Sequence, residues 1–392
     1  MTQVQSPPPV SARLRLILSG GGTGGHVYPA LAVAHVLADQ AQVVYVGSVG
    51  GMEERIVARE SQLPFRALPA AAVRGRGPLG AMRALITLVR GVIVAGQLLA
   101  RERPAAILGT GGYVCVPLFV AAKLQRVPTM IYLPDVVPGL AVRVLSRIAD
   151  LTAVNVSDSL PRLGLHEGDR RALVSGYPVR SELLTTNREA ARAAFGIPSD
   201  QTVLLVYGGS RGARSINRAI ATLLPILLPL CTIIHVCGRE GDQGWLEETA
   251  ARLDPILRAR YLLFPYLESG QARSMSAALA AADVAVCRSG ASTLAELPAV
   301  GLPAVLVPYP YVHQDENADY LVQRGAALKV ADDAMLGDGA PEAGPLAQAV
   351  RQLLIDHEMR RQMAVRSRAL ARPEAAQTLA AALMELAMRS ST

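Results

Sequence analysis

The chain has 392 residues, 51% hydrophobic and 18% charged, with a formal net charge of +7. That length and apolar content exclude disorder and ask for two packed cores rather than one. The basic excess is almost all arginine, Lys123 and Lys329 being the only lysines, and it lacks the stripe of cations and stacking aromatics that a nucleic-acid partner wants.

In chain order, Met1–Val10 is polar and Pro-rich with no apolar h-region, and reads as a tail rather than a signal peptide. Leu14–Ser19 is a short apolar run that predicts a strand. It ends in Gly20–Gly25 and is followed by a helical stretch, Pro29–Ala38, and a second strand, Val43–Val46. Ala84–Ala100 is the most lipid-like segment, but it is short and carries Arg90 near its middle. A spanning helix needs about 20 apolar residues, and a central arginine costs about 3 kcal/mol, so no membrane span is expected. An amphipathic surface helix fits better, with Arg83, Arg90, Arg101 and Arg103 flanking Leu85, Ile86, Leu88, Val92, Ile93 and Leu98. The loose arginine cluster from Arg74 to Arg103 is either a solvated basic surface or a face for anionic membrane lipids or a phosphate-bearing substrate.

Further along, Ala105–Leu108 ends in Gly109-Thr110-Gly111-Gly112, and Thr129–Leu133 and Leu151–Val154 continue the strand series. Ser175–Ala190 is a polar connector, after which the pattern restarts. Val203–Tyr207 is a strand, Gly208-Gly209-Ser210 a turn and Ser215–Leu227 a helix; Ile233–Cys237, Tyr261–Phe264, Val284–Cys287 and Ala304–Val307 are further strands. Pro345–Ser390 is nearly all helix-forming. Alternating β and α in both halves predicts an α/β protein of two doubly wound Rossmann-like parallel-sheet domains facing a cleft, the GT-B architecture by analogy. The expected division is an N-terminal acceptor and membrane-facing domain at 1–176, a C-terminal UDP-sugar-binding domain at 177–360, and a C-terminal helix at 361–392 that packs back on the first domain. Cys115, Cys231, Cys237 and Cys287 show no CxxC spacing and sit in or beside apolar runs, as buried free thiols would. The six histidines do not pair at metal-ligand spacings, no Asp-x-Asp site is found, and no metal is expected.

Gly20-Gly21-Gly22-Thr23-Gly24-Gly25-His26 is the sharpest motif. Small residues between a strand and a helix let backbone amides approach an anion, and the helix terminus adds partial positive charge. The run also satisfies G-x-G-x-x-G, yet the acidic residue that a dinucleotide site wants after the second strand is missing, because Val43–Val46 runs into Gly47-Ser48. His26 either packs at the helix start or serves as a general base, the helix dipole favouring the neutral ring. Gly109–Tyr113 repeats the turn, and serves either close packing or a pyrophosphate. Gly208-Gly209-Ser210, with Arg211 and Arg214, is a third phosphate candidate. In Cys287–Glu296, Thr293 and Glu296 have capping-box spacing, so Glu296 either caps its own helix or accepts both hydroxyls of a ribose. His313-Gln314-Asp315-Glu316-Asn317 is a polar loop after a strand, suited to sugar hydroxyls.

Five segments in this order, Gly21–Ala34 (GGTGGHVYPALAVA), Gly111–Pro117 (GGYVCVP), Gly208–Asn217 (GGSRGARSIN), Cys287–Glu296 (CRSGASTLAE) and His313–Ala318 (HQDENA), resemble the lipid I GlcNAc-transferases of the MurG type across nearly the whole chain. The resemblance implies an inverting enzyme that takes UDP-GlcNAc as co-substrate, with no further cofactor, and a lipid-linked acceptor. It works peripherally at the cytoplasmic face of the cell membrane, with anionic lipids as partners; nothing in the sequence fixes an oligomeric state. Gly21, Gly22, Gly111, Gly112 and Tyr113 would hold the acceptor diphosphate, with His26 the base on the attacking hydroxyl. The donor set carried over is Thr23, Gly24, Gly25, Asp135, Arg180, Ser210, Leu267 (a backbone contact to uracil), Arg288, Ala291, Ser292, Thr293, Leu294, Ala295, Glu296, His313 and Gln314.

The chain departs from the family after Thr129–Ile131, where Tyr132-Leu133-Pro134-Asp135 stands in place of the usual His-Glu-Gln-Asn. Asp135 occupies the asparagine's place, and the histidine and glutamate have no counterpart. Arg211 for Gln and Tyr177 for Asn are smaller departures. The other readings are a transferase acting on another lipid such as a diacylglycerol, a UDP-sugar 2-epimerase, and a nucleotide-binding module without catalysis.

Overall fold

A computed structural model describes residues 13–71 and 78–389. The tail Met1–Val10 and Arg74 of the basic cluster lie outside the described residues. The chain divides into two compact units. The first takes residues up to Ser175, apart from Asp135–Val137, together with the C-terminal stretch from Glu374; the second takes Asp135–Val137 and Gly176–Pro373.

Unit 1 runs β1 (Leu14–Ser19), α1 (Gly24–Leu37), β2 (Ala41–Ser48), α2 (Met52–Glu60), β3 (Phe65–Leu68), α3 (Pro78–Glu102), β4 (Ala106–Gly109), α4 (Cys115–Leu124), β5 (Thr129–Leu133), α5 (Leu140–Leu145), β6 (Leu151–Val154) and β7 (Ala172–Val174). Its seven strands lie in the order β3-β2-β1-β4-β5-β6-β7, every pairing parallel. Leu16, Ile17, Leu18, Ile107, Leu108, Met130 and Ile131 are wholly buried, as strands covered on both faces require.

Unit 2 opens with α6 (Ser181–Thr185) and α7 (Arg188–Phe195). It continues through β8 (Val203–Tyr207), α8 (Arg214–Leu227), β9 (Thr232–Val236), α9 (Gln243–Ala251), α10 (Pro255–Arg258), β10 (Tyr261–Phe264), α11 (Met275–Ala281) and β11 (Val284–Cys287). Then come α12 (Thr293–Val300), β12 (Ala304–Leu306), α13 (Asp315–Gln323), β13 (Ala327–Lys329), α14 (Pro345–Ile355) and α15 (His357–Ala369). Six parallel strands lie in the order β10-β9-β8-β11-β12-β13. The last helix, α16 (Ala375–Arg389), belongs to unit 1, where it packs on α1 and buries Leu379 and Leu383 completely.

Both orders reverse direction from the first strand of the unit, between β1 and β4 and between β8 and β11. Ligands of open α/β sheets bind at the carboxyl ends of strands beside such a reversal. The predicted strands are present with ends shifted by a few residues. Three short strands, β3, β7 and β13, were not predicted, because three or four residues at or beside a sheet edge carry no readable period. The first helix starts at Gly24 rather than Pro29. Proline favours a first helical position and glycine disfavours a helix interior, so the sequence points to the later start; the chain instead runs helically through Gly24 and Gly25 with Thr23 at the N-cap.

α3 is the one helix among the described residues with a stretch, Met82–Glu102, apolar and long enough by length and composition to cross a membrane. It packs on α4: Ala95 and Leu99 are buried in one cluster with Leu118, Ala121 and Ala122, and a methyl group on Gly91 would stand 3.0 Å from Pro117 Cβ. Its other face exposes Met82, Ile86, Val89 and Ile93 beside Arg83 and Arg90.

Candidate active site

β1 and β4 are paired in register, Ser19 opposite Gly109, so the chain leaves both strands at one place beside the reversal of unit 1. The two glycine turns are joined there: the Gly21 amide donates to the Gly111 carbonyl at 3.2 Å. Gly112, at φ +88°, sits so close that a methyl group would stand 2.5 Å from the Gly21 carbonyl oxygen. Only glycine fits that approach and that backbone region together. The buried Thr110 hydroxyl donates to the His26 carbonyl at 2.5 Å, tying the second turn to the first turn of α1. Within unit 1, the amides of Gly22, Thr23 and Gly24, and those of Gly111, Gly112 and Tyr113, donate to no backbone carbonyl among the described residues. Six open donors thus lie in two adjoining turns, each leading into a helix, an arrangement suited to phosphate.

His26 lies over this region. Its Nδ1 is 2.9 Å from the Gly21 carbonyl and 3.3 Å from the Thr23 hydroxyl. A carbonyl only accepts, so in the neutral ring Nδ1 carries the hydrogen and Nε2 keeps a lone pair. The ring occupies the space that a side chain on Gly111 would fill: a methyl there would stand 2.9 Å from Nε2. Below the turn, the Tyr45 hydroxyl donates to the Gly20 carbonyl at 2.8 Å. The buried Glu53 carboxylate accepts from the Ser48 amide at 2.7 Å and its hydroxyl at 2.5 Å, and a methyl on Gly21 would stand 2.7 Å from it. The sequence gives no sign of Glu53 or Tyr45, because both act on a turn distant in the chain. Cys115 is no nucleophile here: burial pushes its thiol up to about 11.

Unit 2 repeats the plan. β8 ends in Gly208-Gly209-Ser210, and Ser210 is exposed. Arg211 and Arg214 do not point to a common anion; the first pairs with Glu240 and the second with Asp242 at 2.8 Å. After β11, the amides of Ala291, Ser292 and Leu294 have no backbone partner among the described residues, leaving the start of α12 open to an anion. Glu296 makes no capping bond, and no hydrogen bond to its half-buried carboxylate occurs within the described residues. Of its two sequence readings, the helix cap is therefore not adopted.

Arg288 is nearly buried and its guanidinium is heavily engaged. It pairs with Asp332 at 2.6 Å, donates to the Val307 and Pro308 carbonyls at 3.1 Å, and reaches the Ser215 hydroxyl at 2.8 Å. It therefore ties together the ends of β11 and β12 and the start of α8. Arg180 donates to the Ser269 hydroxyl at 3.1 Å, two residues beyond the buried Leu267, whose own backbone has no partner among the described residues. Gln314 accepts from the Tyr309 amide at 3.0 Å, and its carbonyl accepts from Ser289 at 2.8 Å, while His313 is exposed with Glu316 at 3.7 Å. The expected polar loop His313–Asn317 is not all loop: Asp315, Glu316 and Asn317 form the first turn of α13, and Asn317 is fully buried. It donates to Asp135 at 2.8 Å and to the Ser289 carbonyl at 3.0 Å, and accepts from the Val136 amide at 2.9 Å. Among the described residues no cluster of three or more His, Cys, Asp or Glu could hold a metal ion.

Two Rossmann-like parallel-sheet units, each ending at its reversal point on amides that have no backbone partner among the described residues, one with a histidine and the other with a glutamate in the adjoining helix start, are the plan of a GT-B glycosyltransferase. The chain belongs to glycosyltransferase family 28: that family's N-terminal domain matches residues 16–154 and its C-terminal domain residues 203–379. A UDP-N-acetylglucosamine–N-acetylmuramyl-(pentapeptide) pyrophosphoryl-undecaprenol N-acetylglucosamine transferase of Roseiflexus sp. (strain RS-1) is 58% identical over 97% of this chain and 96% of its own length. The protein of the same name in Desulforudis audaxviator (strain MP104C) is 39% identical over 95% of this chain and 99% of its own. The crystal structure of Acinetobacter baumannii MurG superposes with a TM-score of 0.72 at 27% identity, covering 95% of this chain and 99% of that one.

Proposed function

We propose that the protein moves GlcNAc from UDP-GlcNAc to the 4-hydroxyl of the MurNAc residue of undecaprenyl-pyrophosphoryl-MurNAc-peptide, lipid I, inverting the anomeric carbon and giving lipid II for peptidoglycan synthesis. The observation that carries this reading is the presence, in each unit, of unpaired amides beside the sheet reversal, which suits a substrate pair with one pyrophosphate each. The names of the two relatives support the choice of acceptor.

In unit 1 the joined turns take the acceptor diphosphate on the amides of Gly22, Gly111, Gly112 and Tyr113. The Gly21 amide is already bonded to the Gly111 carbonyl. Thr23 and Gly24, which the resemblance gave to the donor, are reassigned to this diphosphate because their amides adjoin that of Gly22. His26 Nε2 takes the proton of the attacking hydroxyl; Nδ1, held on the Gly21 carbonyl, fixes the tautomer this needs. In unit 2 the start of α12, from Ala291 to Ala295, meets the charge that develops on the departing UDP, with Arg180 and Ser210 as supplementary donors. Glu296 accepts the ribose hydroxyls, the Leu267 backbone meets uracil, and His313 and Gln314 read the sugar. Arg288 serves this site indirectly, since its guanidinium is engaged by Asp332 and by carbonyls.

Because the acceptor is lipid-linked, the enzyme works at the cytoplasmic face of the membrane. The apolar outer face of α3, with its arginines, lies on anionic lipid rather than spanning it. Replacing His26 with Ala tests the chemical step: turnover falls by about 10²–10⁴-fold while UDP affinity is nearly kept. Undiminished turnover would remove His26 from the mechanism.

A further inference from the structure

β10, β9 and β8 end level with one another, Phe264 opposite Val236 and Val236 opposite Tyr207, so the turns that follow them leave the sheet side by side. The outer two carry Ser210, after β8, and Leu267, after β10. The middle turn, residues 237–242, joins them. To the β8 turn it is locked by backbone alone. The Arg239 amide donates to the Ser210 carbonyl at 3.3 Å, and Gly238, at φ +94°, lies so close that a methyl group would collide with the Arg211 carbonyl. The Arg239 side chain reaches the other way. Its guanidinium carbon lies 3.9 Å from the centroid of the Tyr266 ring, and the group pairs with the Glu268 carboxylate. One side chain thus grips both chain neighbours of Leu267, and Arg180 donates to the next residue, Ser269. The Leu267 side chain is buried, while its peptide N–H and C=O have no backbone partner among the described residues. An open peptide in a segment held at both neighbours is a preset donor and acceptor. Uracil offers an N–H flanked by carbonyls, cytosine a bare ring nitrogen beside an amino group. A fixed peptide that matches the first base therefore mismatches the second.

We propose that Arg239 is a positioning residue for nucleobase selection: its guanidinium, stacked on Tyr266 and paired with Glu268, holds the Leu267 peptide in the orientation that reads uracil. Its own amide, on the Ser210 carbonyl, sets the distance from that peptide to the phosphate turn. The proposal rests on the uracil reading of Leu267 and extends it to a residue that acts through its neighbours. It accounts for a cation held between an aromatic ring and a carboxylate on half-exposed surface, where such contacts add little to folding.

The test is calorimetric titration of UDP, CDP and inorganic pyrophosphate into the full-length protein and its Arg239→Ala, Arg239→Lys and Glu268→Ala variants. Exposed ion pairs and cation–π contacts are individually weak, so Arg239→Ala is expected to weaken UDP by about three- to tenfold. CDP and pyrophosphate bind as they do to the parent, so the preference for UDP over CDP shrinks by the same factor. Lysine at 239 keeps the charge but not the planar stack, and restores only part of that preference. With UDP-GlcNAc, Arg239→Ala raises KM and keeps kcat. Where it lowers the thermal midpoint, Glu268→Ala carries the same comparison with a smaller loss. An undiminished preference for UDP over CDP, or an equal loss for UDP, CDP and pyrophosphate, overturns the proposal. A parent that does not prefer UDP to CDP would instead overturn the uracil reading of Leu267, and this proposal with it.

Discussion

His235, on β9, is wholly buried between two polar neighbours. Its Nδ1 is 2.7 Å from the Tyr261 hydroxyl and its Nε2 is 3.0 Å from Asn217 Oδ1. Burial pulls its value down to about 3, against a small opposing effect from Asp242. The unfolded chain takes up a proton below about pH 6.5, which the fold refuses until far lower, so stability is whole above that value and drains at about 1.4 kcal/mol per pH unit as pH falls. Denaturant unfolding of the parent and of His235→Gln from neutral pH to about pH 4 checks this: the variant loses that part of the slope. An identical slope would mean that the ring is charged or solvated in the fold. Asn217, which bridges His235, the Cys237 carbonyl and Asp242, passes this rigidity to the start of α8, just beyond the Gly208 turn. His235 shows why residue roles are unevenly legible. As a letter in the run Ile233–Cys237 it is one more histidine, and only the fold reveals that both nitrogens are engaged. His26, by contrast, is marked by the glycines before it.

At the scale of elements, the joined turns of unit 1 make a sharp distinction between two glycines. Gly22 has φ +83° with nothing within 4 Å of an added methyl, whereas Gly112 has φ +88° and meets the Gly21 carbonyl. Gly22→Ala should cost only the left-handed strain, about 1–2 kcal/mol, measured by denaturant midpoint. Gly112→Ala should cost more and abolish turnover, because the two turns must separate. Equal costs would show that the turns are not locked together. The helix α3 carries its own prediction. Ile86→Glu with Ile93→Glu should sharply reduce flotation with anionic vesicles at low salt, and high salt should weaken binding of the parent. Binding of the parent that neither charge nor salt alters would remove α3 from the membrane contact. Strands and glycine turns were readable from period and punctuation, but β3, β7 and β13 were not. The start of α1 was misplaced because Pro29 carries the local signal for a helix beginning while Gly24 and Gly25 carry the signal against one.

For the whole molecule, repetition made the architecture legible: one strand–glycine–helix theme occurs twice, and each sheet reverses where the sequence places its glycines. Roles read from local motifs were least informative where neighbours far along the chain decide the matter. Arg211 and Arg214 looked like phosphate ligands and proved to be paired with Glu240 and Asp242, while Asn317 looked like loop polarity and proved to be a buried anchor for Asp135. That anchor falls in the segment Tyr132–Asp135, where the chain departs from the family pattern, which makes acceptor choice the decisive question. Purified enzyme supplied with labelled UDP-GlcNAc should be offered lipid I, a diacylglycerol and no acceptor in parallel. The account predicts a labelled lipid II product with lipid I alone and negligible UDP release otherwise. Transfer to the diacylglycerol with none to lipid I, or turnover of the donor with no acceptor present, would contradict it.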